Sequence, residues 1–223
     1  SNCALYCGAE VDFVDINEET YNIDLESLET KLEKAKQEAK LPKVLIPVHF
    51  SGLPCNLKEI FDLSKKYGFE IIEDASHAIG TKYQGEMIGN CKYSKIAVFS
   101  LHPVKIITAG EGGLATTNDP EIYERLKLIR SHGVTRESSL LSVNKKDPTY
   151  YEQISIGYNY RMTDINAALA VSQLKKVNQF IKRRPPVPKC ARKVTLSTSG
   201  DKFRPTHYCW HAKTSLIDLS FTG

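Results

Sequence analysis

Three short stretches of the 223-residue sequence gather side chains that could do chemistry: Glu73-Asp74-Ala75-Ser76-His77, Ser100-Leu101-His102-Pro103-Val104-Lys105 and Gly157-Tyr158-Asn159-Tyr160-Arg161. A lysine amine, a carboxylate and hydroxyls are what a carbanion-stabilising cofactor of the pyridoxal 5'-phosphate (PLP) type needs. The amine attaches the cofactor, the carboxylate keeps the ring nitrogen protonated so that the ring accepts electrons, and neutral donors hold the phosphate. Lys105, Asp74 and Ser100 are those three kinds of group. Each also has a plainer reading. An Asp at a strand end is commonly a helix N-cap or a turn former, a loop Lys is commonly a solvated charge, and His102 reads as a structural hydrogen bonder. Lys105 differs in its setting, between Pro103 and Ile106-Ile107 and ahead of Gly110-Glu111-Gly112-Gly113. Apolar neighbours of that kind favour a nucleophilic amine. Residue types and spacing alone leave these readings side by side.

The elements that must position these groups follow from periodicity and punctuation. Glu10 to Asp15 alternates polar and apolar residues as a strand does. Asp24 can cap a helix over roughly Leu25 to Ala39, and Pro42 stops it. Lys43 to Val48 is a short apolar strand, followed by a turn-rich loop from His49 to Asn56. A helix over Leu57 to Tyr67 ends on Gly68. Further strands are expected at Phe69–Glu73, Ile96–Ser100 and Gly113–Thr117, a helix at Pro120–His132, and a long helix capped by Thr163 and running to about Lys182. Strands alternating with helices predict an α/β fold with a mostly parallel sheet and helices on both faces. Ligands of such sheets bind beyond the carboxyl ends of the strands. Asp74 and Ser100 both fall there.

Composition excludes several classes. A net charge of +4, much of its excess between Lys182 and Lys193, leaves no electrostatic footprint for nucleic acid. No apolar run approaches the roughly 20 residues that span a membrane. The first residues read as neither a signal peptide nor an initiator, so the chain is expected to start inside a larger protein. Six scattered cysteines without a CxxC pair read as free thiols of a cytoplasmic protein. After Lys182, the run Arg183-Arg184-Pro185-Pro186 cannot continue a helix. Residues 185–223 are read as an atypical, loosely ordered tail behind a domain of residues 1–184. His207, Cys209, His211 and Cys190 in that tail offer zinc-type ligands at a spacing that fits no strong pattern.

Several motifs in order resemble one family. Pro47-Val48-His49-Phe50-Ser51-Gly52-Leu53-Pro54, Glu73-Asp74-Ala75-Ser76-His77-Ala78-Ile79-Gly80, Phe99 to Lys105 with Gly110 to Gly113, Arg130-Ser131-His132-Gly133 and Gly157 to Asp164 are similar to the DegT/DnrJ/EryC1/StrS sugar aminotransferases. The resemblance covers about residues 3 to 184. With His77 where many relatives carry Gln, it is nearest the transaminases of pseudaminic acid biosynthesis. It implies the large domain of a fold type I PLP enzyme, here incomplete, that moves an amino group from glutamate to a nucleotide-linked 4-keto sugar. Lys105 would hold the cofactor and shuttle the proton, Asp74 would pair with the ring nitrogen, His77 would contact the ring or its 3-oxygen, and Ser100 would bind the phosphate. Asn159 would reach the phosphate in the neighbouring subunit, which implies a homodimer. Some relatives are dehydratases with His in place of this lysine, so Lys105 favours amino transfer. The family's N-terminal phosphate loop, its ring-stacking aromatic and its small C-terminal domain are not recognisable here. The alternative is therefore an inactive fragment or pseudoenzyme that serves only as a dimerising module.

Overall fold

The computed structural model describes residues 2–143, 147 and 149–183, and the backbone of residues 214–218. Helix α1 spans Asn2–Tyr6, strand β1 Glu10–Val14, α2 Leu25–Gln37, β2 Val44–Ile46, α3 Leu57–Tyr67 and β3 Glu70–Asp74. Helix α2 begins where the Asp24 side chain accepts from the Ser27 N–H at 2.8 Å. Helix α3 ends where Gly68, at φ 79°, turns left-handed and donates its N–H to the Ser64 carbonyl. Both boundaries sit where the capping residues put them.

The period-2 alternation of the strands divides the core between two faces. Leu45 and Ile71 pack with Leu28, Leu32 and Ile60 of α2 and α3. Val44, Ile46 and Ile72 pack on the other face with Ala4 of α1 and Ala9. Leu28, Leu32, Leu45, Ile60 and Ile71 are fully buried, each stabilising the fold by about 2 kcal/mol.

Next come β4 (Lys82–Tyr83) and β5 (Glu86–Met87), then β6 (Ile96–Ser100), β7 (Gly113–Thr116) and α4 (Pro120–Arg130). Strand β8 is Val134–Thr135 and β9 Glu152–Gln153; α5 is Asp164–Leu174, α6 Val177–Arg183 and β10 Thr214–Asp218. The main sheet runs β1-β10-β2-β3-β6-β7. Its centre, β2-β3-β6, is parallel as expected, with Asp74 opposite Val98. Strand β7 is antiparallel, Ser100 opposite Gly113. A parallel neighbour needs a crossover, usually a helix, and no helix forms between β6 and β7. The chain therefore folds back on itself, and that return loop carries Lys105. The edge toward β1 is also antiparallel, since β10 pairs in that sense with both β1 and β2.

One expected helix is two. Thr163 caps α5, but the Lys176 N–H bonds to Gln173, one residue short of the α-helical partner. The tightened turn lets Val177 and Phe180 of α6 pack with Leu101, Ile107 and Ala109. The expectations for 185–223, including the candidate zinc ligands, fall outside the described residues, apart from the backbone of β10. Among the described residues no group of His, Cys, Asp and Glu is placed to hold a metal ion, and no helix is long and apolar enough to cross a membrane.

Candidate functional site

Asp74 and Ser100 end the adjoining parallel strands β3 and β6. Asp74 is fixed through its backbone. Its N–H donates to Pro47 at 2.9 Å and its carbonyl accepts from the His49 N–H at 3.1 Å. Its Oδ1 accepts from the Ser76 N–H at 3.0 Å, which leaves the carboxylate at the strand end with acceptor capacity to spare. The Ser100 Oγ accepts from the His102 N–H at 3.3 Å, so its own proton is available to another acceptor.

Lys105 lies midway along the return loop, where its N–H bonds to the His102 carbonyl at 3.0 Å. The loop is held at both ends: Leu101 N–H to Gly112 at 2.9 Å and Ala109 N–H to Leu101 at 3.0 Å. From α5, Asn166 Nδ2 donates to Ala109 at 2.7 Å and to Glu111 at 3.1 Å. Leu101, Ile107 and Ala109 are buried, and Lys105 is half-buried with no ion pair among the described residues.

His77 follows Asp74 by three residues, in the turn after β3. Its Nδ1 is buried and has no hydrogen-bond partner among the described residues. Such an atom is rare in a folded protein and points to a missing partner, a water or a ligand. Burial pushes the His77 pKa below its ordinary 6.5, the Lys105 charge pushes it further down, and Asp74 partly offsets both. Lys105 and Asp74 thus act on one imidazole. Removing each charge should move that imidazole in opposite directions. We expect Lys105→Met to raise the His77 pKa and Asp74→Asn to lower it, read from the ring-proton shifts in an NMR titration. No movement in Lys105→Met would mean that the amine does not face His77.

Asn159 does not join this group. It is exposed, and its Oδ1 accepts from Arg161 Nε at 3.0 Å and Nη2 at 2.9 Å. Its loop is tied to the end of α4, with Tyr158 N–H to Ile129 at 2.7 Å and Tyr160 N–H to Arg130 at 2.9 Å. Tyr158 and Tyr160 stack at 4.8 Å there, and Ile156 beside them is 91% exposed.

Other residues of the site were not singled out by sequence reasoning. Phe50 sets its ring edge-on to His77, centroids 6.2 Å apart, and Tyr21 packs behind Phe50 at 5.9 Å. The buried Asn22 holds that loop by accepting from the Phe50 N–H at 2.9 Å and donating to Leu53 and Pro54 at 3.0 and 3.2 Å. Beneath Asp74, His49 Nε2 meets Glu73 Oε2 at 2.9 Å, Ser94 donates to Glu73 Oε1, and His49 Nδ1 accepts from the Cys55 N–H at 3.1 Å. The thiol of Cys55 is pushed up to about 12, mainly by burial, with Glu73 and Asp74 adding to it. At pH 8 it should carry roughly a thousandth of the thiolate of an ordinary cysteine. Brief iodoacetamide treatment followed by peptide mass spectrometry should label the exposed Cys3 and Cys7 and leave Cys55 unmodified until the chain is unfolded.

The sequence profile of the DegT/DnrJ/EryC1/StrS aminotransferase family matches residues 1–207. The chain belongs to that family. It is 37% identical over 208 residues to the UDP-4-amino-4,6-dideoxy-N-acetyl-β-L-altrosamine transaminase of Campylobacter jejuni, covering 93% of this chain and 49% of the relative. It is 36% identical to an uncharacterised protein of Methanocaldococcus jannaschii, covering 98% of this chain and 55% of that one. Among solved structures, the Helicobacter pylori aminotransferase PseC, involved in the biosynthesis of pseudaminic acid, superposes with a TM-score of 0.64 at 35% identity. That match covers 75% of this chain and 40% of PseC. The chain thus spans about half the length of the curated family members it matches.

Proposed function

We propose that this chain forms the cofactor-binding part of a PLP-dependent aminotransferase. It moves an amino group from glutamate to the keto group of a 4-keto sugar carried on a nucleotide, as in the making of surface sugars such as pseudaminic acid, and it works in the cytoplasm. The observation that carries this reading is the placement of Asp74 and Ser100 at the ends of the adjoining parallel strands β3 and β6, with the buried His77 Nδ1, unpartnered among the described residues, three positions after Asp74, in a chain of this family.

The residues present fit the cofactor. An orphaned buried imidazole nitrogen, a carboxylate with spare acceptor capacity, a hydroxyl with an unassigned proton and an amine without an ion pair among the described residues suit its ring, phosphate and aldehyde. When bound, PLP supplies an electron-poor ring that delocalises the charge left as a proton departs from carbon. Lys105 Nζ would hold the cofactor and would be the group that accepts and returns the proton. The Asp74 carboxylate would hold the ring nitrogen and keep a proton on it by charge pairing. His77 would offer Nδ1 to the cofactor, and its lowered pKa favours the neutral ring, so it would direct a hydrogen bond without adding a positive charge. Ser100 would donate to the phosphate. Asn159 and the exposed Tyr158, Tyr160 and Ile156 would face a second copy of the chain, where Asn159 would reach the phosphate.

The test is covalent capture. The chain is incubated with PLP, reduced with borohydride, digested and sequenced by mass spectrometry. A pyridoxyl group on Lys105, lost in Lys105→Ala, is the expected result. Labelling scattered over surface lysines would overturn the reading and leave the dimerising module as the alternative.

A further inference from the structure

We infer that His49, Glu73 and Ser94 form a buried brace whose task is to position Asp74 and His77; the three are positioning residues, and the inference rests on the function proposed above. Glu73 is 1% exposed and His49 fully buried. Along β3, Glu73 follows the alternation of Ile71, on the sheet face covered by α2 and α3. An apolar side chain there would fill the core at no desolvation cost, whereas a buried acid is tolerated only when its oxygens are fully engaged. Both oxygens are engaged, by Ser94 and by His49. The Cys55 N–H occupies His49 Nδ1, which puts the ring proton on Nε2 and makes the bond to Glu73 directional.

Each end of this brace is joined to the site. The backbone N–H of His49 donates to the Asp74 carbonyl, and the Asp74 N–H donates to Pro47. The residue after His49 is Phe50, whose ring faces His77. Gly52, two positions further, lies so close to His77 that an added Cβ would stand 2.8 Å from its carbonyl oxygen. Ser94 stands just before β6, and the next residue, Lys95, donates its N–H to Ile71 of β3. Turning the Glu73 side chain therefore turns His49, and with it the backbone that carries Asp74 on one side and the ring that meets His77 on the other.

The experiment compares the full chain with Glu73→Ala, Glu73→Gln and Ser94→Ala. Gln keeps an acceptor for His49 and offers its amide to Ser94. Two readouts need no cofactor: the His77 pKa by NMR, and hydrogen exchange of the Asp74 amide relative to that of Leu45 in the neighbouring strand. A positioning role predicts that Glu73→Ala speeds Asp74 exchange relative to Leu45 by about tenfold and shifts the His77 titration, while Glu73→Gln stays within about threefold of the parent. It also predicts PLP binding weakened about tenfold in Glu73→Ala and largely restored in Glu73→Gln. Should Glu73→Ala not fold, Ser94→Ala, which removes one bond only, carries the same comparison. A lower melting temperature with unchanged relative exchange and an unmoved His77 titration would overturn the brace. If the parent binds no PLP while the exchange and titration effects appear, the proposed function fails and the brace stands.

Discussion

Gly52→Ala is expected to destabilise the chain by about 3–4 kcal/mol and to weaken PLP binding with it. Two effects add. Gly52 sits at φ +82°, a conformation that places a β-carbon against the backbone, at about 1–2 kcal/mol for an L residue. That β-carbon would also stand 2.8 Å from the His77 carbonyl oxygen, and neither backbone can yield freely. Asn22 holds the loop on one side, and Thr81 Oγ1 donates to the Gly52 carbonyl at 3.2 Å on the other. His77 must move, taking its imidazole with it. Gly85→Ala is the control: its φ is +86°, but nothing lies within 4 Å of an added Cβ, so only the conformational term of about 1–2 kcal/mol applies. Urea unfolding and PLP titration of the two variants separate strain from collision. Equal losses in both would mean that Gly52 does not press on His77.

The contrast between these two glycines also shows which parts of the molecule could be read from sequence. Helix α3 and its Gly68 stop, the Asp24 cap of α2 and the strand Ile96–Ser100 were legible because local periodicity and a terminal residue specify each. The hairpin of β4 and β5 was not. Its turn residues, Gln84 and Gly85, are at φ 49° and 86°, the paired positive values of a two-residue turn normally marked by Asn-Gly. Gln in place of Asn hid it. The break between α5 and α6 was invisible for another reason: Lys175-Lys176 is a good helix sequence, and the turn tightens only because Val177 and Phe180 have a partner surface on the return loop. The direction of β7 depended on what the return loop lacked rather than on anything within the strand.

The site divides in the same way. Placement of Asp74 and Ser100 at strand ends followed from topology, because α/β sheets expose those ends to ligands. His49–Glu73, 24 positions apart, Phe50–His77 at 27, and Asn166 reaching Ala109 at 57 are pairings between segments. Nothing in the local pattern of one segment encodes its contact with another. Glu73, at the inward-facing position two residues after Ile71 in the strand Glu70-Ile71-Ile72-Glu73-Asp74, was the available signal that a polar partner had to be found elsewhere.

Asp74→Asn should leave the fold in place and remove most of the chemistry. The replacement has nearly the same shape, and its amide oxygen can still accept from the Ser76 N–H. The backbone bonds to Pro47 and His49 do not involve the side chain. Unfolding free energy should therefore change by less than about 1 kcal/mol. The negative charge, however, is gone. On the proposed reading the ring nitrogen would lose the partner that keeps its proton, and the ring would be a weaker electron sink. Loss of one preorganised electrostatic partner of this kind lowers a rate by roughly 10²–10³-fold. The measurement is the rate at which glutamate converts PLP bound to the chain into the pyridoxamine form, followed by absorbance under single-turnover conditions. Capture of PLP on Lys105 by borohydride should persist in Asp74→Asn, because the amine is untouched. The two results together distinguish a lost charge from a lost site. A rate within a few-fold of the parent would remove Asp74 from the reaction and leave it the turn former that its position after a strand would suggest, with the ring nitrogen facing some other group.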